Sequence, residues 1–124
     1  MYSSTKHEET AYDLYVRGVG MLRDGHAHQA AMILSRAKLL EPHKASIREA
    51  LGRALFMIGS AERARLEFAK TVALDPSDDY AHFALALACE RTGQRDRARG
   101  HVKLAVTLRP GNGEYERALR RIAG

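Results

Sequence analysis

The apolar residues of this chain recur with helical spacing, and the helical pattern itself restarts at a fixed interval. Pro42, Pro76 and Pro110 are 34 residues apart. The same step separates Gly25, Gly59 and Gly93, then Ala30, Ala64 and Ala98, then Leu40, Leu74 and Leu108. Four residue types in one phase over three copies mark an internal repeat, and this period is that of a helix–turn–helix unit. The units span residues 11–44, 45–78 and 79–112. In each, a first helix fills about the first 14 positions, and a glycine follows where a left-handed C-cap costs glycine little. A second helix then runs to about position 30 and is stopped by the proline. Ser60 is expected to N-cap the second helix of unit two, and Ser77 the first helix of unit three. Thr5 followed by Glu8 reads as a capping box, which would start the first helix near residue 6. Asn112 would cap a last helix over about 113–123. The expected fold is all-α, a single domain of about seven helices in which each unit contacts its neighbours and shares one continuous core.

The residues at matching positions resemble the tetratricopeptide repeat family. Position 8 of the unit is small, with Gly18, Gly52 and Ala86, and position 20 holds the three alanines. Position 24 is bulky, with Leu34, Phe68 and Val102, and position 27 is small, with Ala37, Thr71 and Ala105. The resemblance covers residues 11–112, and 113–123 resembles the family's solvating cap helix. It implies a right-handed solenoid and a scaffold for binding other proteins. Two positions depart from the pattern. The family's frequent Trp at position 4 is Leu14, Arg48 and His82 here, and its Tyr at position 11 is Met21, Leu55 and Cys89.

A surface helix in water needs one apolar stripe, yet the first helices carry two. Positions 4, 7, 8 and 11 cluster on one side, which in unit three means His82, Leu85, Ala86 and Cys89. On nearly the opposite side lie Tyr12, Tyr15, Val19, Leu22 and Arg23 in unit one. Unit two places Ser46, Glu49, Arg53, Phe56 and Met57 there, and unit three Tyr80, Phe83, Leu87, Glu90 and Arg91. Five of the chain's eight aromatic residues fall in this second set. The family resemblance implies that these positions line a concave, partner-binding surface. An apolar peptide or partner helix is the expected ligand. Closure of the groove by the chain itself or by a second copy is the alternative. Some members of the family grip a chaperone's C-terminal carboxylate with Lys, Asn and Arg. The matching positions here are Tyr15, Val19, Ala50, Tyr80 and Ala84, which cannot do so. Arg23, Arg53 and Arg91 can still pair with an acidic ligand side chain. The short three-repeat bacterial secretion chaperones are a further likeness in kind, without an extra feature that singles them out.

Charge changes this picture at one end only. Net charge is +5, but residues 1–90 hold 11 bases and 12 acids while residues 91–124 hold nine bases and three acids. Arg91, Arg95, Arg97, Arg99, Lys103, Arg109, Arg117, Arg120 and Arg121 make the basic end. Such a patch could meet an acidic protein, an anionic membrane surface or nucleic acid, although Tyr115 is its only aromatic for base stacking. One cysteine allows no internal disulfide, and no apolar run is long enough for a membrane span. The N-terminal residues do not read as a secretory signal. A cytoplasmic location is expected, and the excess of Arg over Lys, fifteen to five, hints at a bacterial source.

Candidate chemistry is sparse. His26 and His28 lie two apart at a turn, and no ligand set closes around them, so no metal and no cofactor is expected. His82 reads as a core histidine with one satisfied nitrogen, and Cys89 as a buried packing residue. Gly18-Val19-Gly20 lacks the strand and third glycine of a phosphate loop. No catalytic motif occurs, and an enzyme is not expected.

Overall fold

The computed structural model describes residues 8–124, and among them it shows seven helices and no strand. They are α1 (Ala11–Arg23), α2 (Ala27–Leu40), α3 (Ala45–Met57), α4 (Ala61–Leu74), α5 (Asp79–Arg91), α6 (Arg95–Leu108) and α7 (Gly113–Ala123). Helices pair in chain order as α1–α2, α3–α4 and α5–α6, each pair packs on the next, and α7 closes on α6. This is a helix–turn–helix solenoid.

The turn inside each pair is the same object three times. The amide N–H of His26 donates to Met21 O, that of Ser60 to Leu55 O and that of Gln94 to Cys89 O, each at 2.8 Å. One residue earlier, Gly25, Gly59 and Gly93 have φ of 84°, 87° and 79°. This is the Schellman arrangement, and it needs the left-handed conformation that glycine adopts without a Cβ penalty. Ser60 does flank α4, but its side chain makes no cap hydrogen bond. Its backbone is committed to the preceding turn, with ψ of 65° in place of the extended value of the side-chain-capped starts.

Side chains cap α1, α5 and α7, whereas α3 starts at Lys44 without a side-chain cap bond. Asn112 caps α7 as expected, accepting from Tyr115 N at 3.0 Å. For α5 the cap is Asp78, which accepts from Ala81 N at 3.0 Å, and not Ser77. Ser77 bonds the Asp75 carboxylate at 2.9 Å. The proposed box at Thr5 lies outside the described residues, but residues 8–10 are not helical. Helix α1 starts at Ala11 behind a reciprocal box in which Thr10 and Asp13 each accept from the other's backbone N–H. At the far end of each pair, Glu41, Asp75 and Arg109 have φ near −140°, between −141° and −137°. With ψ between 74° and 84° they lie outside the α region, which a following proline disfavours.

The core sits between the first and second helices. Ala30, Leu34, Ala64, Ala98, Val102 and Ala105 are fully buried. Closeness at position 8 is a requirement of space. A Cβ on Gly18 would meet Leu34 Cγ at 2.5 Å, and one on Gly52 would meet the Phe68 ring at 2.6 Å. The two polar residues at position 4 do one job. Arg48 Nε donates to Pro42 O at 2.9 Å, and His82 Nε2 lies 2.9 Å from Pro76 O, six residues back in both cases. Arg48 also bonds Glu67 at 3.0 Å, and Lys38 reaches the same carboxylate at 2.8 Å, so one buried acid joins α2, α3 and α4.

Both ring nitrogens of His82 are engaged, not one. Its Nδ1 lies 3.1 Å from Nδ1 of His101 on α6. The ring centres are 5.4 Å apart with planes 23° from parallel. These two distances differ by about two ring radii, so the imidazoles meet edge to edge through one N–H···N bond. Since the Pro76 carbonyl can only accept, His82 donates from Nε2, and the proton between the rings comes from His101.

Candidate functional site

Helices α1, α3 and α5 lie side by side, and the second apolar set of each is turned away from the helix it pairs with. Tyr12, Met57 and Tyr80 are 72%, 56% and 39% exposed. Tyr15, Val19, Phe56 and Leu87 are half-buried, packed against the rim of the core. Arg23 and Arg91 are exposed, and Glu49 and Arg53 half-buried. Leu22 and Phe83, expected at the same surface, are both buried. Leu22 is absorbed into the packing of α1 on its neighbours. Phe83 is covered from outside by α7, whose Tyr115 ring lies 4.8 Å away. The Tyr115 hydroxyl donates to Asp79 Oδ2 at 2.6 Å, and Arg109 Nε bonds the same oxygen at 3.1 Å. Both bonds hold the Asp79 carboxyl below its ordinary value, with Tyr115 the larger influence. Among the described residues, self-coverage therefore occurs over the third unit.

Two cavities open on this surface. One, of about 400 Å³, lies between the first turns of α1 and α3 and is lined by Thr10, Ala11, Tyr12, Tyr15, Glu41, Lys44, Ser46 and Ile47. The other, of about 140 Å³, lies between the last turns of α3 and helix α5. Arg53, Phe56, Met57, Tyr80, Ala84 and Leu87 form its walls, with Phe68 of α4 at its floor. Arg91 places its guanidinium over the Phe56 ring, 4.7 Å from the centroid. The helical wheel missed Glu41 and Lys44, because the α2–α3 connection contributes them and a single-helix projection does not contain it; Ile47 is in α3 but lay outside the face read as the groove.

The ground between the cavities is polar. Arg53 reaches Glu49 at 3.8 Å. Burial and the facing Asp78 carboxylate push the Glu49 carboxyl up to about 7, against the pull of Arg53. Burial also raises the Tyr80 hydroxyl.

The basic end is less free than its composition implied. Arg99 pairs with Asp96 at 2.9 Å, Arg109 with Asp79 at 3.1 Å, and Arg121 with Glu90. Arg95 donates to the Arg121 carbonyl at 3.3 Å. Among the described residues, Arg97, Lys103, Arg117 and Arg120 carry no ion pair. Tyr115, the one aromatic in this stretch, is buried and offers no stacking platform. His26 and His28 are exposed, and no group of three or more His, Cys, Asp or Glu is placed to hold a metal among the described residues. Cys89 is buried, which raises its thiol. No helix of the described residues is long and apolar enough to cross a membrane.

The sequence matches the tetratricopeptide repeat model twice, over residues 17–79 and 50–113. The chain belongs to the tetratricopeptide repeat family. Among curated proteins, none matches it. Solved structures share its fold at low identity. The first tetratricopeptide domain of Spaghetti (RPAP3), bound to the HSP90 peptide SRMEEVD, superposes with a TM-score of 0.87 at 20% identity. That match covers 92% of this chain and 90% of the other. MamA gives 0.86 at 21% identity over 90% of this chain and 66% of its own. The Yersinia enterocolitica type III secretion chaperone SycD, in complex with a peptide of the translocator YopD, gives 0.78 at 17% identity, covering 94% and 89%.

Proposed function

We propose that this tetratricopeptide protein is a non-enzymatic interaction module, an adaptor or chaperone-like protein. It captures an apolar segment of a partner protein across α1, α3 and α5. One observation carries the reading. Tyr12, Met57 and Tyr80 stay exposed, with Tyr15 and Leu87 half-buried beside them, around two cavities. Peptide complexes of similarly folded proteins support it. The chaperone-carboxylate mode is disfavoured, since Ala50 and Ala84 are buried and Tyr15, Val19 and Tyr80 bring no cation. The buried, unpaired Cys89 fits a reducing cytoplasm.

The test is affinity capture with mass spectrometry, followed by titration of the captured partner. Tyr15→Ala and Tyr80→Ala should each weaken binding by about 1–4 kcal/mol, with little dependence on salt. Phe83→Ala is no groove probe, because its ring lies under α7. If both tyrosine variants bind as wild type, capture in this groove is wrong. Binding that instead falls steeply with salt and fails on Arg97→Glu or Arg120→Glu would transfer the function to the basic end. A mass in light scattering of twice 13.8 kDa, reverting in Tyr80→Ala, would make the partner a second copy.

A further inference from the structure

The second helices form a layer unlike the first. Helices α2, α4 and α6 carry nine Lys or Arg and three acids, whereas α1, α3 and α5 carry five and four. The three acids are already paired: Glu62 with Arg65, Asp96 with Arg99, and the buried Glu67 with Lys38 and Arg48. Among the described residues, Arg63, Lys70, Arg97 and Lys103 carry no ion pair, and all but the half-buried Lys70 are exposed. The connections hold Asp24, Glu41, Asp75 and Asp78 against Lys44 and Arg109, but these stand beyond the helix ends. The middle of the layer is therefore cationic. The same layer holds six of the ten large apolar side chains that stay exposed. Met32 and Leu39 are 71% and 80% exposed, and Leu66 and Leu104 about half. Apolar and cationic residues interleave. Leu66 has Arg63 three residues before it and Lys70 four after, spacings that share one helix face. Arg97 and Leu104 lie seven apart, two turns along one side of α6.

We propose that this layer is a docking surface for an anionic phospholipid bilayer, on which the protein lies with α4 and α6 along the headgroups. It is independent of groove capture, which uses the other layer. Charge complementarity calls for an anionic partner, and the aliphatic side chains choose among anionic partners. Nucleic-acid phosphates would satisfy the cations and leave Met32, Leu39, Leu66 and Leu104 in water. The layer's one Phe, Tyr or Trp is Phe68, which is buried and offers no base a stacking face. A headgroup boundary accepts both kinds of residue. Leu and Met enter the acyl edge while Lys and Arg stems lie along it and hold their charges at the phosphates. Helices α2, α4 and α6 are also spread wider than α1, α3 and α5, so the layer bulges outward. A bilayer yields to such a face, where a folded acidic partner needs a matching hollow. No helix of the described residues is long and apolar enough to cross the membrane, so the contact stays at the surface.

The experiment uses the full chain and large unilamellar vesicles, with bound protein read by co-sedimentation. Vesicles of phosphatidylglycerol and phosphatidylcholine in equal parts should carry the protein down, and pure phosphatidylcholine should not. Lys70→Gln with Lys103→Gln should weaken binding about 25-fold, at about fivefold per cation near an anionic surface. Leu66→Ser with Leu104→Ser should weaken it about tenfold. Circular dichroism checks that both double variants fold, and the lipid comparison on the unaltered protein stands without them. Equal binding to the two vesicle types, or binding to neither, overturns the proposal. So does an unaltered affinity of the leucine variant, which leaves charge attraction alone. Tighter binding to a DNA duplex of about 20 base pairs, indifferent to the leucine change, gives the layer to nucleic acid instead. The leucine variant should titrate a captured partner protein as wild type does, so failure of membrane docking and failure of groove capture are separate results.

Discussion

One substitution, glycine to alanine, should have opposite effects at two helix positions of this chain. Gly100 lies inside α6, exposed, and a Cβ there would find nothing within 4 Å. Alanine at that site gains only the helical preference over glycine, about 1 kcal/mol. For a chain of this size that raises Tm by about 3–5 °C. Gly52 lies inside α3, buried, and its Cβ would stand 2.6 Å from Phe68 Cε1 and 2.8 Å from Cδ1. Phe68 is 1% exposed, so its ring must shift within the core or toward the cavity it floors to make room. The helical gain of about 1 kcal/mol is then opposed by overpacking of about 1–3 kcal/mol. The net effect is a loss of up to about 2 kcal/mol. Urea unfolding followed by circular dichroism at constant m-value measures both variants. Phe68→Leu supplies the cross-check. In the double variant the smaller side chain should absorb the new methyl, so the two losses add to less than their sum. If Gly52→Ala stabilises as Gly100→Ala does, α3 and α4 are not in the close approach described above.

Three further outcomes can be checked by the same unfolding assay. The Glu49 carboxyl is raised to about 7, so the folded state holds a proton that the unfolded chain releases above about 4.5, and stability falls as pH rises from about 4.5 to 7. Glu49→Gln should flatten that slope and stabilise the protein at pH 8 by about 1–2 kcal/mol, discounted for its partial exposure. His101 shifts the other way, lowered by burial, by His82 and by Arg97. Its contribution is present above the ordinary imidazole range and declines as pH falls below about 6.5, and His101→Gln should remove that decline. Glu67→Ala strands Lys38 and Arg48 in a part-buried site and should cost about 2–4 kcal/mol, whereas a loss under about 0.5 kcal/mol would show that the triad carries no weight.

The repeat frame was readable because its punctuation is backbone chemistry. A positive φ demands Gly25, Gly59 and Gly93, and proline keeps its predecessor out of the helical region, whatever the surroundings. Caps were read less well. Ser77 and Asp78 are neighbours with similar side-chain reach, and which one faces the α5 amides depends on how the loop crosses from α4. The groove residues were half legible for a related reason. A helical wheel gives a side chain's direction from its own axis. It contains no α7 to lay over Phe83 and no α2–α3 connection to bring Lys44 beside Tyr15. The departures at position 4 carried an unread signal, since Arg48 and His82 both offer an N–H at the point where a proline carbonyl waits.

Those two bonds make the joints of this solenoid unequal. The joint of the first two units is tied by a guanidinium that stays charged at any physiological acidity. At the next joint the tie is an imidazole whose other nitrogen must stay bare to receive the proton of His101. A further proton enters at Nε2 of His101, outside that bond, and places a positive charge in a site where burial, His82 and Arg97 all oppose it. As pH falls below the ordinary imidazole range, the second joint therefore loses stability that the guanidinium tie of the first does not. The acid response of each joint follows from which basic side chain sits six residues after its proline.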